Sequence, residues 1–174
     1  MRAAAIFLLL LACRTSEVGA DPSPKHDAPA APPAAQVPGV GVKAHGVELA
    51  PAPDGDVATI VRAATAQARA HGRTLLVYIG ATWCEPCKRF HHAAERGELD
   101  EHFPTLSLLV FDLDRDGERL RAASYAPGYV PYFGLPGDDG KATRRAMEGS
   151  IKGEGAVDNI TPRLERLLAE GGSE

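Results

Sequence analysis

The chain has 174 residues, room for one ordinary domain plus tails. Its 19 Lys and Arg against 23 Asp and Glu leave a mild negative charge, which gives no broad electrostatic attraction to nucleic acid. Three cysteines exclude a scaffold stapled by many disulfides; Cys84 and Cys87 sit three apart, and Cys13 stands far from both.

The first twelve residues read as an export signal. Arg2 supplies the positive start, and Ala3 to Leu11 form an apolar stretch too short for a bilayer, which takes about 20 residues. The stretch ends Leu10-Leu11-Ala12-Cys13, which resembles the bacterial lipobox. That resemblance implies cleavage before Cys13, lipid on its thiol, and a place in the cell envelope facing the periplasm. Two or more acyl chains make a stable anchor, because each buried methylene contributes about 0.8 kcal/mol. Arg14 rather than Asp suggests the outer membrane by the enterobacterial sorting pattern; the choice between inner and outer membrane is open. Residues 13–53 read as a disordered tether, crowded with Pro and Ala from Asp21 to Pro38 and without a helical or strand period. Roughly 40 such residues would reach about 120 Å at about 3.1 Å each. Within this stretch, Gly46 to Ala50 has the makings of one short strand that would join the domain.

The folded domain is expected over 54–174. Asp56 is placed to cap a helix whose Val57, Ile60, Val61, Ala64 and Ala68 recur at helical spacing until Gly72. Thr74 to Ile79 is a continuous apolar run, the pattern of a strand buried on both faces. After a loop over Gly80 to Trp83, a helix runs from about Cys84 towards Arg96 and stops at Gly97. Thr105 to Asp112 is a second buried strand, and Asp116 to Tyr125 a shorter helix. Tyr132 to Leu135 is a strand, Gly137-Asp138-Asp139-Gly140 a turn, and Lys141 to Met147 the returning strand. Val157 to Ala169 closes with an amphipathic helix carrying Ile160, Leu164, Leu167 and Leu168. This alternation implies an α/β domain with a central mixed β-sheet flanked by helices.

The chemistry concentrates in Trp83-Cys84-Glu85-Pro86-Cys87-Lys88, at a junction from strand to helix. Cys84 at the helix start meets unpaired N–H groups and the positive end of the dipole, which favour its thiolate. Pro86 fits the first turn, where no backbone hydrogen bond is lost. Cys87, one turn on, is within reach of Cys84 and faces inward.

The motif, the apolar strand before it and Val130-Pro131 before the last hairpin resemble the thioredoxin superfamily over about Asp54 to Ala169. The resemblance implies a thioredoxin fold and thiol–disulfide oxidoreductase chemistry with no cofactor and no resident metal. Cys84 would attack a substrate disulfide, and Cys87 would resolve the mixed disulfide. Trp83 would shield the pair. Pro131, cis in the family, would face the dithiol and present backbone beside Val130 to the substrate. The implied partners are protein disulfide substrates, a thiol–disulfide electron donor, and the membrane through the lipid on Cys13. Within the superfamily the chain looks most like the soluble domain of transmembrane disulfide reductases, with a cytochrome-maturation reductase as another possibility.

Two departures from the family pattern stand out. Many thioredoxins carry a buried Asp in the strand before the motif; the matching residue here is Tyr78, so the Cys87 proton needs another route, through water or Glu85. The residue after the first cysteine is Glu85, whose charge opposes the thiolate and tunes the pair. That leans the pair towards the reducing half of a range from about −270 mV to about −120 mV. Tyr125, Tyr129 and Tyr132 are placed either to line a substrate groove or to pack in the core. The alternative function is a copper- or zinc-binding envelope lipoprotein using the same thiols with His91, four residues after Cys87 on one helix face.

Overall fold

The computed structural model describes residues 36–170. The elements run β1 (Glu48–Pro51), α1 (Val57–Ala70), β2 (Thr74–Gly80), α2 (Glu85–Glu95), β3 (Leu106–Asp112), α3 (Leu113–Ala122), β4 (Tyr132–Pro136), β5 (Ala142–Glu148) and α4 (Ala156–Ala169). They build a five-stranded sheet in the order β1-β3-β2-β4-β5. β1, β3 and β2 are parallel, while β4 runs antiparallel to both β2 and β5. This is the mixed sheet the sequence implies.

Strand β2 shows why its sequence is apolar throughout. Leu75, Val77 and Ile79 point to one face and pack with Val61, Ala64 and Ala68 of α1 and Leu120 of α3. Leu76 and Tyr78 point to the other and pack with Phe90 of α2 and Ile160 and Leu164 of α4. With helices on both faces, the period of two buries every side chain from Leu75 to Ile79. The predicted α1 cap is present: Asp56 accepts from the Thr59 N–H at 2.8 Å. Gly97 follows α2 with a φ of 76°, the left-handed turn that ends a helix and suits glycine.

Two expectations shift. Helix α3 begins at Leu113, three residues before Asp116, because the Asp112 carboxylate caps it, accepting from Asp114 N at 3.0 Å and Arg115 N at 3.1 Å. The stretch expected as a tether over 13–53 differs in its described part. Residues 36–53 pack onto the fold, with Val37, Val40, Val47, Ala50 and Ala52 buried. Val37 N donates to Gln67 of α1, and β1 adds to the edge of β3. A buried ion pair fastens this segment. Glu48 accepts from Gly41 N, Val42 N and Ser107 Oγ, and Arg73 reaches Lys43 O, Gly46 O and Leu106 O. The export signal, Cys13 and the Pro- and Ala-rich stretch as far as residue 35 lie outside the described residues. Among the described residues no helix is long and apolar enough to cross a membrane.

Candidate active site

The site forms where β2 ends. Gly80 to Trp83 turn the chain over the end of the sheet, and Cys84 becomes the N-cap of α2. Its backbone is extended, and its sulfur accepts from the Cys87 N–H at 3.2 Å. A free N–H of the first helical turn thus points at Sγ of Cys84, the arrangement that favours negative charge there. Pro86 occupies the first turn, as its missing N–H allows. Cys84 and Cys87 are joined as a disulfide with their Cα atoms 5.3 Å apart. Both residues are only 3% exposed, so in the oxidised pair exposure does not distinguish an outer from an inner cysteine; the helix start does.

Pro131 reaches the same place from β4. The register Ile79↔Tyr132 sets Pro131 beside the end of β2, and the Val130–Pro131 bond is cis, as the family resemblance implies. The segment before it is held from β5: the Glu148 carboxylate accepts from Gly128 N at 3.0 Å and Tyr129 N at 3.1 Å, and Gly149 N donates to Pro131 O at 2.8 Å. Of the three tyrosines considered from sequence, Tyr125 and Tyr132 are core and only Tyr129 is exposed. Trp83 is 62% exposed, and its indole N–H donates to Asp114 at the start of α3, 2.9 Å away. Among the described residues the other large apolar side chains open to solvent are Val42 and Ile151, the latter in the loop before α4.

Glu85 does not present a bare charge to Cys84. Its carboxylate pairs with Arg89 one turn on and accepts from Gly153 N at 3.0 Å. These bonds, the Arg89 contact first, hold its carboxyl below the usual range. Behind the disulfide lies a pocket of about 620 Å³ that Cys87 lines from α2 and Tyr78 from β2. Glu85 is not among its walls. Cys87 and His91 do share this pocket, but Cys87 is committed to the disulfide. Among the described residues no group of three or more His, Cys, Asp or Glu is placed to hold a metal ion.

Sequence reasoning grouped Trp83, Cys84, Pro86, Cys87, Val130 and Pro131; the first four lie at the junction of β2 and α2, and the last two just before β4. It missed the Asp114 bond to Trp83, the Gly153 bond to Glu85 and the pocket that joins Tyr78 to His91. The only signal for the last was the i, i+4 spacing of Cys87 and His91 on one helix.

No curated protein and no solved structure gives a match to the chain. The family model described as thioredoxin-like matches residues 57–125, which spans α1, β2, the cysteine pair, α2, β3 and α3 and stops short of Pro131. The mixed sheet with helices on both faces and the Cys84–Cys87 disulfide at the start of α2 agree with the thioredoxin-like match over residues 57–125.

Proposed function

We propose that the protein is a thiol–disulfide oxidoreductase of the cell envelope that reduces or exchanges protein disulfides through Cys84 and Cys87. The observation that carries this reading is the disulfide at the N-cap of α2, with Cys87 N–H directed at Sγ of Cys84 and a cis Val130–Pro131 bond leading into β4 next to the end of β2. In the reduced protein Cys84 attacks a substrate disulfide and Cys87 then displaces the product. Trp83, Tyr129 and Val130 border the place where substrate backbone would lie. A thiol–disulfide electron donor restores the dithiol. Glu85, through its charge, keeps the pair towards the reducing side. Lipid on Cys13 holds the domain to a membrane with its face in the periplasm.

Cys87→Ala tests the chemistry: it should accumulate mixed disulfides on Cys84 that dithiothreitol releases, while the wild type reduces insulin. A wild type that leaves insulin oxidised, with a variant that traps no protein, would sink the reading. Cys13→Ser tests the anchor: the protein should leave the membrane fraction of cells, and a variant that stays there would refute lipid attachment.

A further inference from the structure

The resolving cysteine must give up a proton before it attacks, and the usual acidic residue is replaced by Tyr78. The pocket behind the disulfide supplies another acceptor. Tyr78 is fully buried, and its hydroxyl finds no hydrogen-bond partner among the described residues although it stands at the pocket wall. A buried hydroxyl without a partner is costly unless water serves it, and this pocket is roomy and polar enough to hold water. Gly80 lies against that hydroxyl, where a Cβ would stand 3.0 Å from the Tyr78 oxygen, so water must enter from the pocket to serve it. The His91 ring lies 5.0 Å from the Tyr78 ring, between centroids, and His91 shares a helix face with Cys87 one turn earlier. All three line the one pocket.

We propose that His91 is the proton acceptor for Cys87, reached through pocket water held by the Tyr78 hydroxyl. The proposal rests on the oxidoreductase reading above. In the resolving step the Cys87 S–H proton passes through that water to the neutral imidazole. The Cys87 sulfur attacks Sγ of Cys84, the Cys84–Cys87 bond forms, and the bond from Cys84 to the substrate sulfur breaks. The substrate sulfur leaves as a thiolate and takes a proton from solvent. The dithiol loses two electrons and the substrate disulfide gains them, so the step needs no further reactant.

The surroundings of His91 keep it neutral for this task. Burial lowers its pKa first, Glu95 opposes that, and His92 adds to the lowering. The other charged groups around the pocket are Lys88 on α2 and Asp112 and Arg115 across from it. Above its own lowered pKa His91 is an available base; as pH falls through that value it is lost. Near neutral pH a poised base of this kind is what proton transfer requires.

The test mixes the reduced full-length protein rapidly with an aromatic disulfide, 5,5′-dithiobis(2-nitrobenzoic acid). Attack by Cys84 and resolution by Cys87 each release one coloured thiolate, so they appear as two phases. In the wild type the second phase should slow on acidification with an inflection below the ordinary imidazole value. His91→Gln should remove that inflection and slow the second phase ~10-fold or more near neutral pH, with the first phase unchanged. Added imidazole should restore part of the rate to His91→Ala. Tyr78→Phe keeps the ring and its packing, and should slow the second phase by a smaller factor. Wild-type pH profiles in both His91→Gln and Tyr78→Phe would overturn the proposal, as would equal slowing of both phases. Insulin reduction by the wild type separates the two levels. Failure there, with a His91-dependent second phase, removes the proposed function but not the relay. Insulin reduction with an indifferent His91 removes the relay alone.

Discussion

The carboxylate of Glu85 accepts a hydrogen bond from Gly153 N at 3.0 Å, and so ties the first turn of α2 to the loop between β5 and α4. The residue that separates the two cysteines at its N-terminal side is therefore a loop clamp as well as a charge. Arg89 shares the carboxylate, which weakens its repulsion of the Cys84 thiolate. Glu85→Gln should make the protein more oxidising by no more than ~30 mV in a glutathione titration. The amide still offers Gly153 an acceptor, so the loop should hold. Glu85→Ala should free it, seen as faster amide exchange at Gly153. An unchanged or more reducing Glu85→Gln would remove Glu85 from the residues that set the potential.

Cys84 should react first. In the reduced protein its thiolate receives the Cys87 N–H and the positive end of α2, whereas Cys87 sits inside the first turn facing the pocket behind the cysteine pair. Limited alkylation near neutral pH, read by peptide mass, should find label on Cys84 ahead of Cys87. The reverse order would exchange the attacking and resolving roles.

Trp83 is the only tryptophan of the chain, so its emission reports on the site alone. The Asp114 carboxylate restrains an indole that is otherwise mostly in solvent. Asp114→Ala should lower the anisotropy of Trp83 emission, and Asp114→Asn, which keeps an acceptor oxygen, should lower it less. Equal anisotropy in all three proteins would mean that the bond does not hold the ring.

Glu48 and Arg73 make the most consequential polar contact away from the site. They are 6% and 4% exposed, with Arg73 Nε 3.4 Å from the Glu48 carboxylate. Removing the carboxylate leaves a buried guanidinium without its counter-charge, a loss of about 3–5 kcal/mol. Urea unfolding of Glu48→Gln should show that loss, and hydrogen exchange should show residues 41–48 loosened first. Burial alone would raise the Glu48 carboxyl; the bonds from Ser107, Gly41, Val42 and Lys43 outweigh it and hold it below its usual value. The folded form thus binds its proton less readily than the unfolded chain. Its contribution is complete above the ordinary Glu value of about 4.3 and disappears as pH falls through the lowered one. Wild-type stability should fall more steeply than that of Glu48→Gln below that range.

The layout of the domain was readable because its signals are local. Apolar periods marked α1, α4 and the inner strands, and the hairpin turn and WCxPC motif marked their own positions. What escaped involves partners far apart in the chain. The segment from residue 36 carries apolar residues, but its Pro and Gly break any helical or strand period that would announce a buried role, and its place depends on Glu48 meeting Arg73 and Ser107. Charged residues read as surface until a partner is known. The α3 boundary moved because Asp112 ends a strand and caps a helix at once. At the site, the cysteines and Pro131 were legible from motif. Tyr78 registered only as a missing acid, because its link to His91 exists only once β2 packs on α2.

In the anchored protein proposed above, the Glu48–Arg73 clamp would also set the direction from which the domain is held. It lies at the end of the parallel strands where they begin, beside the last turn of α1 and the start of β2. The disulfide stands at the end where β2 finishes. Tension arriving through residue 36 would therefore be borne at the pole farthest from Cys84. The reactive end would then stay out of the line of force, free to meet a bulky partner.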